Sequence, residues 1–236
     1  MSFVPKIIRR ASERGVSKID WLDSRHTFSF GDYSDHRFMG FGPLRVINDD
    51  RVKIGHGFDT HPHRDMEIIT YVLQGAVRHK DSGGNGSVIV PNDVQVMSAG
   101  TGVYHSEFND SKTENVHLLQ IWIQPDKKGH QPRYQQGNFS NEAKRGNLKL
   151  VVSGDGRDGS MMVHRDVKVY AGLFDGKERA EYEVIPGRKI WLHVAKGSLT
   201  VNNLSLSEGD AIGVEEAGNL KLENGQNSEI LLFDLN

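Results

Sequence analysis

The sequence predicts an all-β protein made of two tandem antiparallel barrels. Short β-branched and aromatic segments recur along the chain, and 26 Gly against 7 Pro indicate frequent turns between them. A similar order of strands and turns occurs twice. Regular short strands of this kind are typical of a barrel or a sandwich, and no long amphipathic helical pattern competes with them.

Two series of segments have the composition expected of strands. The first series is Thr27–Phe30, Leu44–Asn48, Ile68–Leu73, Val88–Val90, Val94–Met97 and His117–Ile123. The second series is Leu148–Val152, Val167–Gly172, Ile190–Val194, Leu199–Val201, Ala211–Val214 and Ile230–Phe233. Turn residues separate most of these segments, and Lys196-Gly197 is interpreted as one such turn.

A polar stretch at 125–146 lies between the two series and is interpreted as the interdomain connection. A helical turn is expected within it, around Asn141–Arg145. The predicted domains are therefore residues 1–130 and 131–236. The second resembles a degenerate copy of the first without the paired histidines, because His193 stands alone in its strand.

Composition excludes several classes of function. The formal net charge of −2 offers no basic field for nucleic acid or an anionic membrane. The absence of Cys excludes disulfides, thiolate metal sites and a cysteine nucleophile. The N-terminus does not resemble a secretory signal, and no apolar run is long enough for a transmembrane helix. We therefore expect a cytoplasmic protein with no direct nucleic-acid partner and no membrane association; a monomer is compatible with the sequence.

Four residues form the candidate metal site. His61 and His63 are two residues apart, so in an extended strand their side chains share one face, about 6–7 Å apart along the chain. His105 and Glu107 repeat this spacing. Two such pairs on facing strands would offer three nitrogens and one carboxylate, a set that suits Fe, Mn, Ni, Cu or Zn.

Glycines and polar residues at fixed spacings around these pairs resemble the two motifs of the cupin superfamily. The corresponding positions are Gly55, His61, His63, Glu67 and Gly75 in the first motif, and Gly102, His105 and Asn109 in the second, where Gly100 replaces the proline of the superfamily motif. Seven residues separate Glu67 from Gly75, one more than in the superfamily motif. Because a one-residue slip turns a strand side chain to the opposite face, Glu67 is expected not to bind the metal, and Glu107 supplies the carboxylate.

Longer segments resemble the pirin family. They are Trp21–Phe30, Met39–Asp50 and Met97–Gly102, and the match extends over about residues 6–140. The resemblance implies a bicupin, in which two tandem antiparallel β-barrels of the jelly-roll type face each other. It places one divalent ion, Fe(II) first and otherwise Mn, Ni, Co, Cu or Zn, in the N-terminal barrel on His61, His63, His105 and Glu107. It also implies a C-terminal barrel without metal.

The resemblance further implies a metal-dependent dioxygenase of the quercetin 2,3-dioxygenase type, whose partners are a small aromatic substrate and O₂. In this interpretation Glu107 is both a ligand and the catalytic base. The alternative is a non-catalytic iron-binding protein whose oxidation state controls a regulatory surface, and a third possibility is a purely structural metal. His79 and the remaining histidines are interpreted as structural or exposed, with His26 and His56 the nearest to a pocket.

Overall fold

The structure, a computed structural model, describes residues 5–236 and is almost entirely β. Strands β1–β12 are, in order, Ile7–Arg9, Gly15–Lys18, Leu22–His26, Leu44–Val52, Gly57–His63, Glu67–Gln74, Val77–Asp81, Gly86–Ile89, Asp93–Ser98, Val103–Asn109, Val116–Ile123 and Arg133–Asn138. Strands β13–β20 are Lys149–Ser153, Met161–Met162, Val167–Phe174, Ala180–Val184, Lys189–Val201, Leu204–Ser207, Ala211–Val214 and Gly218–Leu235. One short helix, α1, spans Asn141–Lys144, and 3₁₀ turns lie at Ala11–Glu13 and Arg157–Gly159. Within 5–236, no helix is long and apolar enough to cross a membrane.

The chain divides into two compact units. The first, here called the histidine barrel, contains Gly15–Asn138 and Met161–Arg165. The second, here called the apolar barrel, contains the N-terminal residues up to Arg14, then Phe139–Ser160 and Asp166–Asn236. This division differs from the predicted ranges 1–130 and 131–236, because β1 pairs with β19 of the apolar barrel and β12 pairs with β9 of the histidine barrel.

The histidine barrel is built from two antiparallel sheets. One has the strand order β12-β9-β6-β11-β4-β3-β2, and the other has the order β5-β10-β7-β8. In the smaller sheet β10 lies between β5 and β7, with His105 opposite His61 on one side and opposite Asp81 on the other. This sheet carries the candidate site.

The apolar barrel repeats the larger sheet. Its order β1-β19-β17-β20-β15-β13 corresponds strand by strand to β12-β9-β6-β11-β4-β3. The pairing of Ile69 with Val96 in the first unit has its counterpart in the pairing of Leu192 with Ile212 in the second. The predicted internal duplication is therefore seen in the topology.

The two interiors differ in composition. The apolar barrel has one large cluster of fully buried side chains: Phe174, Val184, Ile190, Leu192, Val194, Leu199, Val201, Leu206, Ile212, Val214, Leu220, Leu222, Ile230 and Leu232. The histidine barrel has smaller apolar clusters, around Val72 and around Ile68. Polar side chains such as Thr70, His79 and Glu107 are also buried in it.

Two predictions about individual segments were wrong. Thr27–Phe30 does not form a strand, because β3 ends at His26. Phe28 is nevertheless buried, from an irregular segment of the chain. Lys196-Gly197 is not a turn but a bulge within the long strand β17. There Gly197 has φ +67, and a Cβ would lie 2.3 Å from the Gln226 carbonyl oxygen, so only glycine fits.

The predicted connection also contains regular structure. Its Gln-rich segment Arg133–Asn138 is strand β12, an edge strand whose polar side chains gave no strand signal. The predicted helical turn is confirmed as α1, whose first turn is capped by the Ser140 side chain accepting from the Ala143 amide.

Candidate metal centre

Three adjacent strands each present a pair of ligand-type side chains two residues apart. They are His61 and His63 on β5, His105 and Glu107 on β10, and His79 and Asp81 on β7. Alternation along a strand gives both members of each pair the same face. The strands that carry His61, His63, His105 and Glu107 are β5 and β10, which pair directly as neighbours in one sheet.

The imidazoles converge into two overlapping groups. Ligand nitrogens of His61, His63 and His105 lie within 4.8 Å of one another. A second group, with the same limit, contains His79, His105 and a Glu107 oxygen, so His105 belongs to both. The Nε2 atoms of His105 and His61 are 3.1 Å apart.

Glu107 is buried and held at both carboxylate oxygens. His105 pairs with His61 and Glu107 with Phe58, so β5 carries the extra residue of a bulge there, whereas β10 stays in regular register with β7. Gln120 donates from Nε2 to Glu107 Oε2 at 2.7 Å. The Thr70 hydroxyl lies 3.1 Å from Glu107 Oε1 and 3.2 Å from Gln120 Oε1. One hydroxyl hydrogen can serve only one of these two acceptors at a time.

Two histidines, His63 and His105, are in the protonation state that metal binding requires. Burial, with the neighbouring His105 and His61, lowers the pKa of His63 to about 4. Burial, with His61 and His79 nearby, lowers the pKa of His105 to about 3. Both rings are therefore neutral near pH 7 and keep a nitrogen lone pair. His61 Nδ1 donates to the Asp59 carbonyl at 2.7 Å, an arrangement in which a neutral ring has its lone pair on Nε2.

This donor set fits a divalent transition-metal ion. It combines imidazole nitrogens with a nearby carboxylate, within a part of the barrel where burial and, to a smaller extent, neighbouring histidines disfavour protonation. The His cluster is thus a candidate for holding a metal.

A cavity of about 240 Å³ adjoins the cluster. His61, His63 and Glu107 form one part of its wall, and aromatic side chains form another. The Trp122 ring packs edge-on against His63 at 4.9 Å and against Phe30 at 5.4 Å. Further lining residues are Ser17, Leu22, Ser24, His26, Asn48, Asp50, Phe58 and Gln120.

Other residues weighed from the sequence have different places. Glu67 is buried, accepts from the Ser98 hydroxyl at 2.6 Å and pairs with His164 at 3.0 Å, and it belongs to neither of the two candidate groups. His26 lines the cavity, whereas His56 stacks on Trp21 outside it.

Sequence reasoning missed His79, Asp81, Thr70 and Gln120. His79 was expected to be structural or exposed; it is buried and contacts His105. A signal was present, because His79-Lys80-Asp81 has the same spacing as the two predicted pairs. Thr70 and Gln120 carry no such signal, since single polar residues within apolar strands indicate no particular role.

Comparison with known proteins identifies the family of this chain. The pirin family model matches residues 8–123, and a model described as the quercetinase C-terminal cupin domain matches residues 150–235. The chain is 47% identical over 228 residues to the quercetin 2,3-dioxygenase of Escherichia coli strain K12, covering 97% of each chain.

Solved structures agree. The crystal structure of YhhW from E. coli has a TM-score of 0.92 and 45% identity, covering 98% of this chain and 97% of that one. A structure described as the bacterial pirin YhhW in complex with nickel(II) has a TM-score of 0.91 and 45% identity, covering 97% and 98%. The predicted all-β fold with two cupin domains is confirmed, and the chain belongs to the pirin family.

Proposed function

We propose that this chain binds one divalent metal ion in the histidine barrel, on His61, His63, His105 and Glu107. The convergence of the three imidazoles within 4.8 Å supports this set, as does the position of Glu107 on the same strand face as His105. The apolar barrel has no part in metal binding in this proposal, because its interior is filled by the aliphatic cluster.

We further propose that the chain is a quercetin 2,3-dioxygenase, which opens a flavonol or a similar enolic aromatic with O₂. The observation that carries this proposal is the cavity in which the metal cluster forms one wall and Phe30, Phe58 and Trp122 form another. A flat aromatic substrate fits such a wall, because aromatic rings pack well against one another. The function named for the 47% identical relative supports the same assignment.

A divalent ion held by these residues would supply Lewis acidity, which would lower the pKa of a substrate hydroxyl beside it. Glu107 takes the proton of that hydroxyl in our proposal. The proton goes to Oε1, because Gln120 Nε2 already donates to Oε2. When Oε1 is protonated, the Thr70 hydroxyl turns its hydrogen to Gln120 Oε1, 3.2 Å away, and accepts from Glu107 instead. Thr70 and Gln120 thus hold Glu107 in both protonation states.

Fe(II) is the resident ion that we propose. Three imidazoles with one carboxylate leave coordination positions open on an ion that prefers five or six ligands, and the set also suits Mn, Ni, Co and Cu. The nickel(II) described for the E. coli pirin structure is one of the metals that this ligand set suits.

The test is anaerobic reconstitution of tag-free protein with each metal, followed by O₂-electrode and carbon monoxide assays with quercetin. We expect O₂ uptake with stoichiometric CO when Fe, Mn, Ni, Co or Cu is bound. Absence of both with every metal would reject the quercetin dioxygenase assignment and favour an iron-responsive regulatory protein.

Glu107→Gln and Glu67→Gln form a matched pair, because both glutamates are buried in the same barrel. We expect Glu107→Gln to weaken metal binding and to lower kcat by at least about 10²-fold, since the base is lost. Glu67→Gln should keep the metal and most of the activity. The reverse pattern would show that the register argument for Glu107 is wrong.

A further inference from the structure

A line of buried side chains leads from Asp81, the last residue of β7, to the metal cluster. It runs from Asp81 to His79 to His105, with 3.2 Å between Asp81 Oδ2 and His79 Nε2, and 3.5 Å between the Nδ1 atoms of His79 and His105. We propose that Asp81 and His79 are positioning residues that keep the proton of His105 on Nδ1, so that its Nε2 lone pair faces the ion. This inference rests on the proposed metal site.

Asp81 is the fixed end of the line. Its Oδ1 accepts from the Gly83 amide at 2.9 Å, the Asn85 amide at 3.0 Å and the Asn85 side-chain nitrogen at 3.1 Å. The side chain is only 3% exposed. These three donors keep Oδ1 in the loop, while Oδ2 accepts from the Asn85 side-chain nitrogen at 3.0 Å and is directed at His79. The carboxylate therefore has one orientation and offers only an acceptor to the histidine.

The acceptor oxygen of Asp81 determines which ring nitrogens of His79 and His105 carry a proton. His79, which is fully buried, donates from Nε2 to Asp81. A neutral ring with its proton on Nε2 has a lone pair on Nδ1, so His79 Nδ1 accepts from His105 Nδ1. His105 Nε2 then carries no proton, and its lone pair faces the lone pair of His61 Nε2, 3.1 Å away. Two lone pairs that meet in this way are stabilised by a cation between them.

The reversed proton order is less favourable. If His105 Nε2 donated to His61, then His79 Nδ1 would donate to His105, and His79 Nε2 would direct a lone pair at Asp81 Oδ2. A buried lone pair beside a full negative charge costs more than two neutral nitrogens in contact. The rigid Asp81 loop thus selects the order that leaves His105 Nε2 available.

A different ion position competes with this one. An ion between His79, His105 and Glu107 would use His105 Nδ1, and His105 would then carry its proton on Nε2. His79 and His105 do not line the cavity, so an ion bound there would be removed from a substrate in it. The tautomer of His105 therefore distinguishes the two positions.

The first experiment measures that tautomer directly. Protein labelled with ¹⁵N-histidine is studied by long-range ¹H–¹⁵N correlation near pH 7.5, both metal-free and loaded with diamagnetic Zn²⁺. We expect His105 to carry its proton on Nδ1 in both states and the His79 proton on Nε2. A proton on His105 Nε2 in either state would overturn the proposal. Because the readout does not depend on O₂ chemistry, failure of the dioxygenase assignment leaves it interpretable.

Asp81→Asn gives the sharpest variant. The loop amides should keep the new amide oxygen in the loop, so the NH₂ group faces His79 and donates to its Nε2. His79 must then donate from Nδ1, and the proton of His105 moves to Nε2. We expect the tautomer to invert and Zn²⁺ affinity, measured by chelator competition, to fall about 10–100-fold. An unchanged tautomer with unchanged affinity would contradict the proposal.

Two substitutions of His79 test its role, one that removes the acceptor nitrogen and one that restores an acceptor. His79→Leu keeps the volume but removes the acceptor, and we expect the same loss of about 10–100-fold in Zn²⁺ affinity. His79→Asn places an amide oxygen about where Nδ1 lies, so affinity should return to within a few-fold of the original chain. His117→Leu is the control, because His117 is another buried histidine paired with a carboxylate, at 2.8 Å from Asp49. Equal losses in all three variants would indicate a merely structural role and reject the proposal.

Discussion

The two barrels share a strand order but differ in what fills them. In the histidine barrel β6 carries Thr70 toward Glu107, whereas the corresponding strand β17 of the apolar barrel carries Leu192 into an aliphatic cluster. Close packing of aliphatic side chains stabilises a fold and leaves no room for a ligand. The comparison teaches that one copy supplies apolar burial while the other uses part of its interior for polar chemistry.

The largest effect should follow from removing two imidazoles of the histidine barrel. We expect the double change His61→Ala and His63→Ala to reduce metal content from about one ion per chain to below about 0.1, because two of four proposed ligands are lost. Elemental analysis of tag-free protein measures this, and circular dichroism checks that the barrels stay folded. Full metal retention would break the distinction between the barrels.

His193→Ala is the matched change in the apolar barrel. His193 is buried in β17, the strand that repeats β6. We expect the metal content of this variant to equal that of the unaltered chain. A clear loss of metal would show that the apolar barrel takes part in metal binding, which contradicts the proposal.

A smaller effect, on stability alone, should follow in the apolar barrel. Leu192 is fully buried, so Leu192→Ala leaves a cavity and should lower the free energy of unfolding by about 2–5 kcal/mol. Urea unfolding measures the loss, and metal content per folded chain should not change. A decrease below about 0.5 kcal/mol would show that this cluster does not have the role that its burial implies.

An effect of pH on stability sharpens the comparison in the metal-free chain. The pKa values of His63 and His105 are lowered to about 4 and about 3 in the folded state, against about 6.5 when unfolded. Between these values the unfolded chain binds more protons, so stability is complete above about pH 6.5 and falls as the pH is lowered toward 3. Urea unfolding from pH 7.5 to 4.5 measures this slope.

A double variant, His63→Gln with His105→Gln, provides the control for this pH series. Without the two low-pKa imidazoles, the stability of the metal-free chain should decline less steeply over the same range. An identical slope in both proteins would mean that other groups cause the acid sensitivity.

Much of this structure can be predicted from the sequence, and the elements that cannot be predicted have physical reasons. Apolar strands such as β6, β11 and β19 were predicted because alternation and β-branching are local signals. Strands β5, β7 and β10 have too many polar residues for that signal, since their side chains face a site rather than a core. The bulge at Gly197 resembles a turn in sequence because both need a positive φ.

The candidate site shows the same division. His61, His63, His105 and Glu107 follow from spacing and family resemblance, and the structure brings their strands together. The contacts of Thr70 and Gln120 with Glu107 depend on strand pairing that no local pattern encodes. His79 lay within reach of the same spacing argument, because it precedes Asp81 by two residues.

The most direct test of the account is anomalous diffraction from crystals of metal-loaded protein at the absorption edge of the bound metal. The account predicts one peak per chain, about 2.0–2.3 Å from a nitrogen of each of His61, His63 and His105 and from one oxygen of Glu107. A peak between His79, His105 and Glu107, or one inside the apolar barrel, would contradict it.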